Sequence, residues 1–173
     1  MEEQEKILEF GVKRENEERR DGGFAIIFDL EKQLYAVGLH HSSDFLYLFG
    51  GGRNEGENKI DGIIREVREE SGLHDFLHVE EIGEAMVHYF HSIKNLNRIT
   101  KAACFLIVLN SPSLVETEPE EHEKFNLAWV KKEDLIFNWK DNRDDENQPH
   151  HWIYFLEKAT KRLIDLGHAT TNS

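Results

Sequence analysis

Glu66, Glu69 and Glu70 fall close together in a segment with helical periodicity, and their spacing sets the chemistry they could do. At roughly 100° per residue they share one stripe, about 120° from the centre of the stripe made by Ile60, Ile63, Ile64 and Val67. One face packs while its neighbour carries three carboxylates. Like charges that close repel, raise one another's pKa and cost stability unless a cation or a bound proton offsets them. Hard oxygen donors with room for water and phosphate suit Mg²⁺ or Mn²⁺, whereas zinc prefers His and Cys. Just upstream, Gly50-Gly51-Gly52 leave backbone carbonyls and N–H groups open to close approach by a ligand or ion. For Glu69-Glu70 taken alone, a solvated Glu-rich helix is the commoner explanation. The spacing of the whole stretch argues otherwise.

The elements that must position these groups are readable around them. The runs 24–28 and 34–39, separated by a polar turn, suggest a hairpin, and 45–49 reads as a strand running into the glycines. The periodicity predicts a helix over about 58–71, ended by Gly72. Strand-like runs return at 77–82, 84–91, 98–109 and 127–131. Trp152, Phe155, Leu156, Ala159, Leu163 and Leu166 mark a second amphipathic helix over about 150–167, closed by Gly167. Strands, a helix, more strands and a last helix imply an α/β domain, a mixed sheet with helices packed on it, over residues 22–167. Residues 1–21 form a charged lead-in compatible with either a frayed helix or an extended segment, and 168–173 a polar tail.

Composition narrows the partners. The 173 residues carry 21 Lys+Arg against 34 Asp+Glu, a formal net charge of −13. That surplus argues against a non-specific grip on nucleic acid or an anionic membrane, which are bound through clustered Lys and Arg. Small phosphates remain open to an acidic protein if a cation bridges them. One cysteine, Cys104, excludes an intramolecular disulfide and a thiolate zinc cluster, and sits in an apolar run as a core residue would. With no signal-like N-terminus and no stretch of about 20 apolar residues, a cytoplasmic location is expected. His88 and His91 point to opposite faces of a strand, so they are not expected to share an ion, and His40-His41 and His150-His151 lack a matching ligand set. Trp129, Trp139, Trp152, Tyr89 and Phe90 could stack on a base, although such aromatics more often fill cores.

Taken as a whole, Gly51-x5-Glu57-x7-Arg65-Glu66-Val67-x-Glu69-Glu70-x-Gly72-Leu73 resembles the Nudix box of the Nudix hydrolases over 23 continuous residues. The resemblance implies a Nudix-type α/β/α sandwich and hydrolysis of a nucleoside diphosphate linked to another moiety X, by water attacking phosphorus with a divalent metal, Mg²⁺ or Mn²⁺. It implies that Glu66, Glu69 and Glu70 bind metal, with Glu66 alternatively the base for the attacking water, and that Arg65, Glu66 and Glu69 carry the catalysis. Glu57 becomes the upstream acid beside the metal, Arg65 the partner that holds a box glutamate, and Gly50, Gly51 and Gly52 the turn whose carbonyls complete the metal shell and meet the substrate.

Relatives often recruit a further acid from a later loop, here Glu116, Glu118, Glu120, Glu121 or Glu123, with Glu120, Glu121 and Glu123 favoured. Tyr89 and Phe90 lie 17 and 18 positions past Gly72, where some dinucleoside-polyphosphate-cleaving relatives carry a tyrosine. Val87 stands where ADP-ribose hydrolases are expected to have proline, so the balance tilts away from ADP-ribose and towards the nucleotide or dinucleoside polyphosphate class. Phe49 replaces the proline usual before the glycines, a change that bears on how the leaving group is seated. The partner implied is a small phosphorylated nucleotide, and a homodimer is compatible with the resemblance. The isoprenoid diphosphate isomerases of the same fold need a catalytic cysteine, which Cys104 is poorly placed to be. Removal of RNA caps is disfavoured by the shortage of basic residues. A non-catalytic nucleotide-binding or regulatory domain, part of a larger protein, is the rival of another class, and intact box acids argue against it.

Overall fold

The computed structural model describes residues 7–118, 125–141 and 149–170. Among these residues, nine strands form one mixed sheet: β1 (Leu8–Phe10), β2 (Glu18–Arg19), β3 (Gly22–Asp29), β4 (Leu34–His40), β5 (Leu46–Tyr47), β6 (Phe49–Gly52), β7 (Phe76–His91), β8 (Leu96–Leu109) and β9 (Phe125–Val130). The main path runs β1-β7-β8-β3-β4-β5, with β2 added to β8, β6 to β3 and β9 to β4. Among the described residues there are three helices: α1 (Lys59–Ser71), α2 (Lys132–Lys140) and α3 (His150–Asp165).

The period-2 alternation of β3 and β8 builds the layers. Phe24, Ile26 and Phe28, with Cys104, Leu106 and Val108, face a core closed by Leu135 and Trp139 of α2 and Phe155, Leu156, Ala159 and Leu163 of α3. The intervening Ala25, Ile27, Ala103, Phe105 and Ile107 face the other way and pack on Ile63 and Val67 of α1. Helices therefore cover both faces of the sheet, as expected of an α/β fold whose central strands are apolar on both sides. No helix among the described residues is long and apolar enough to cross a membrane.

Several boundaries differ from the pattern in the sequence. The runs 77–82 and 84–91 are a single strand, β7, whose pairing with β8 shifts register between Glu81 and Gly83. That bulge breaks the alternation and makes one strand look like two. The helix α2 was not anticipated, because its nine residues bury little beyond Leu135 and Trp139, an i, i+4 pair. Asn58 is the N-cap of α1, accepting the Asp61 N–H, and α3 gives way to its cap at Leu166 before Gly167. Ile60 is 46% exposed, whereas Gly62, Ile63 and Val67 are buried. The packed stripe of α1 is thus rotated towards Glu66 and Glu70.

Where described, the lead-in forms two short strands joined through a turn at residues 15–16, with β1 parallel to β7 and β2 parallel to β8. Buried His88 of β7 fastens it, with Nε2 against Glu9 and Nδ1 against Glu17, each at 2.6 Å. Both ring nitrogens face carboxylates, so the ring is held as an imidazolium that donates to each. Burial opposes that charge, but Glu9 and Glu17 outweigh it and raise the pKa above 6.5. A raised folded-state pKa gives stability that is complete below the ordinary value and lost as pH rises through the folded one. Hydrogen-exchange protection of residues 8–19, corrected for intrinsic rates, is expected to fall as pH is taken from about 6 to about 9. In His88→Gln it should be low throughout. Protection independent of pH would contradict the clamp.

Candidate active site

Strand β6 lies antiparallel to the start of β3, with Gly22 opposite Gly52, Gly23 opposite Gly51 and Phe24 opposite Gly50. Five glycines in two paired strands leave a window without side chains. Across it, Glu66 and Glu70 of α1 reach a cleft of about 880 Å³ that opens beside the α3-side core. Gly51 lets the Glu66 carboxylate lie against the backbone: a Cβ there would stand 2.6 Å from the Glu66 carboxyl carbon and push it aside.

Arg65 organises the acids. Its Nε and Nη2 donate to the two oxygens of Glu57 at 2.8 and 3.0 Å, a fork on a carboxylate. Nη1 donates to Glu66 at 3.0 Å and to Glu69 at 3.2 Å, and Nη2 also reaches the Gly52 carbonyl at 3.3 Å. Hydrogen bonding from Arg65, then from the Asn54 N–H, lowers the Glu57 pKa from 4.5 to about 2, so Glu57 is charged throughout the neutral range. Glu70 stands apart from this group and accepts the Gly50 N–H at 3.0 Å. The arrangement holds three acids and the Gly52 carbonyl on one guanidinium at the cleft's rim, with Glu70 on the glycine turn beside them.

Glu57, Glu66 and Glu70 are partly buried there, while the Glu69 side chain is 53% exposed. Among the described residues, no three His, Cys, Asp or Glu side chains are gathered closely enough to enclose one ion. The reason is visible in the contacts: Glu57, Glu66 and Glu69 point to Arg65 and Glu70 to the turn. Glu120, Glu121 and Glu123 lie outside the described residues, and the exposed Glu116 and Glu118 do not line the cleft.

Tyr89 and Trp152 line the cleft, whereas Trp139 is core, its Nε1 donating to the Leu46 carbonyl at 2.9 Å. Lys32 lies over the Trp129 ring at 5.4 Å. His91 lines the cleft while His88 faces the lead-in, so the two occupy opposite faces. Phe45 stacks on Trp152 with ring centroids 6.1 Å apart, and Tyr47 meets Phe45 edge-on at 4.7 Å. Sequence reasoning missed Arg20, Lys94, Arg98 and Thr100 on the cleft wall. The signal for two of them was present: Arg98, Thr100 and Ala102 alternate along β8 before its apolar run, so they share a face.

Gly51→Ala tests the window. The new methyl would displace the end of a flexible Glu66 side chain, so the melting temperature should change little while turnover falls about 10²-fold, the scale set by small misplacement of a reacting group. Turnover near wild type would show that the Glu66 position is immaterial.

A family model described as the NUDIX domain matches residues 18–154. Among solved structures, an Ap4A hydrolase from C. elegans in a binary complex aligns at a TM-score of 0.61 and 18% identity, over 84% of this chain and 98% of that one. A proposed Nudix hydrolase from Listeria monocytogenes aligns at 0.62 and 25% identity, over 84% and 95%. The MutT protein from Methanosarcina mazei aligns at 0.54 and 18% identity, over 85% and 96%. No curated protein matches the chain in sequence. The sandwich of helices on a mixed sheet is the one these structures share, and with the family model spanning most of its length the chain belongs to the Nudix family.

Proposed function

We propose that the chain is a metal-dependent pyrophosphohydrolase that cleaves a nucleoside diphosphate linked to another moiety, with Mg²⁺ or Mn²⁺ as cofactor and substrates of the dinucleoside polyphosphate class. The observation that carries this reading is the placement of Glu66 and Glu70 against the glycine turn at the rim of an 880 Å³ cleft. The donors fit such an ion: carboxylate and peptide oxygens are hard ligands, and Gly51, lacking a Cβ, lets the Glu66 carboxylate lie close against the glycine turn. Glu66, Glu69 and Glu70 would hold the ion, with the Gly51 carbonyl. When bound, it lowers the pKa of water and neutralises charge developing on phosphoryl oxygens.

The chain's own residues do the rest. Arg65 orients Glu66 through the 3.0 Å bond and keeps Glu57 ionised. Glu66 is the proposed acceptor of the proton from the attacking water. Phe45, Tyr47, Tyr89 and Trp152 offer aromatic surface on which a base can stack. The test is release of phosphate products from dinucleoside polyphosphates, ADP-ribose, nucleotide sugars, nucleoside triphosphates and capped RNA, with Mg²⁺ and in EDTA. Turnover of dinucleoside polyphosphates that stops in EDTA is expected. Full activity in EDTA would sink the metal's role, and no turnover of any member would leave a binding module.

A further inference from the structure

Among the described residues, four buried side-chain polar atoms have no hydrogen-bond partner: Arg98 Nε, Thr100 Oγ1, His151 Nδ1 and Trp152 Nε1. All four residues line the same cleft. Buried polar groups in native proteins are nearly always satisfied, so four unmade bonds on residues that line one cavity mark a place for a ligand's own polar atoms. Arg98 is the most buried charge of the set, at 4% exposure. Its Nη2 donates to Glu18 at 3.1 Å, which fixes the guanidinium and leaves the Nε edge unpaired.

Two of the four atoms, Arg98 Nε and Trp152 Nε1, can only donate, and the other two can donate or accept. Burial, then the neighbouring His150, pushes the His151 pKa down to about 4, so its ring is neutral and one tautomer presents an N–H. Arg20 and Lys94 join Arg98 in the cleft wall, and the carboxylates among the described lining residues are Glu66 and Glu70. These three cations lie close enough together that, after burial, Arg98, Lys94 and Arg20 all push the His91 pKa down. In a chain of net charge −13, three cations share this wall, with Glu18 as counter-charge to Arg98 and Arg20 and Lys94 beside it.

We propose that Arg98, Thr100, His151 and Trp152 form an anion-recognition subsite that takes a phosphate of the substrate beyond the two joined by the scissile anhydride. A nucleobase edge usually presents donors as well as acceptors and gives the cations no counter-charge. A phosphate presents acceptors only and carries the charge to match. The moiety X therefore carries phosphate of its own, as in a dinucleoside tetraphosphate, and is not a neutral sugar as in ADP-ribose. This inference rests on reading the site as a pyrophosphohydrolase.

The test compares kcat/KM for diadenosine tetraphosphate with that for ADP-ribose, on the full chain with Mg²⁺. In Arg98→Gln the ratio should fall about tenfold or more, chiefly through KM for the tetraphosphate, with smaller falls in Thr100→Val and Trp152→Phe. A ratio unchanged in all three variants, whether both substrates suffer alike or neither does, overturns the proposal. Since Arg98→Gln also breaks the contact with Glu18, thermal melts accompany it, and Thr100→Val decides if that variant does not fold. Calorimetric titration with inorganic tripolyphosphate in EDTA separates the subsite from catalysis: the wild type should bind, and Arg98→Gln about tenfold more weakly. Equal binding, or none by the wild type, overturns the subsite. If no substrate is turned over, the hydrolase reading fails while tripolyphosphate still decides the subsite.

Discussion

Glu66→Gln is expected to cut kcat by about 10²–10⁴-fold, the range for removing a general base, with little change in melting temperature. Glutamine keeps the length and one oxygen of the side chain, so the close packing over Gly51 survives. What it loses is the charge, and with it both a proton acceptor and an anionic donor to the metal. The Arg65 Nη1 contact at 3.0 Å can persist to the amide oxygen, so Arg65 stays in place and the loss can be assigned to Glu66 itself. Steady-state kinetics over a Mg²⁺ series divides the two proposed duties. A ligand role appears as a raised Mg²⁺ requirement that high metal partly overcomes, whereas a base role appears as low kcat at saturating metal. Wild-type kcat at every Mg²⁺ concentration would remove Glu66 from the chemistry. The double variant Glu69→Gln plus Glu70→Gln should show the ligand pattern.

How these residues could be found from sequence depends on how locally they are encoded. Glu57, Arg65, Glu66, Glu69 and Glu70 occupy one short stretch, and helical periodicity places the last three on one stripe before any tertiary contact is known. The core strands were legible for a similar reason, since β3 and β8 are apolar on both faces and their alternation assigns each residue to one layer. What periodicity could not supply was the rotation of α1. Gly62 has no side chain to hold the helix off, and the buried stripe shifts towards the glutamates while Ile60 is left exposed.

The cleft wall was harder because its parts come from separate segments: Arg20 from the lead-in, Arg98 and Thr100 from β8, His151 and Trp152 from the start of α3. Each is unremarkable in its own stretch. Only the parallel pairing of β2 on β8 and the packing of α3 on the sheet bring them to one cavity. The charged lead-in, uninformative as a string, also supplies Glu9 and Glu17 for His88 and Glu18 for Arg98. Its acids hold the sheet edge rather than contribute only to solubility.

Arg65→Ala is expected to lower kcat by about 10²-fold without removing any atom proposed to touch the substrate, because small misplacement of a reacting group has effects of that size. Three carboxylates and the Gly52 carbonyl converge on this guanidinium, so its loss leaves Glu57, Glu66 and Glu69 to repel one another and splay. The sign of the accompanying pH effect follows from Glu57. Its pKa is held at about 2 instead of 4.5, chiefly by hydrogen bonding from Arg65, so the folded arrangement is favoured above pH 4.5 and loses that support as pH falls towards 2. Without Arg65 the Glu57 pKa should return towards 4.5 or above it, and the acid limb of the pH–rate profile should move up with it. Arg65→Lys separates charge from geometry: an ammonium supplies the positive charge but not the planar fork that grips both Glu57 oxygens. Its kcat should stay about tenfold or more below wild type, because small misplacement persists without the fork. Recovery to wild-type kcat in Arg65→Lys, or an acid limb that does not move in Arg65→Ala, would reduce Arg65 from a positioning residue to a counter-charge.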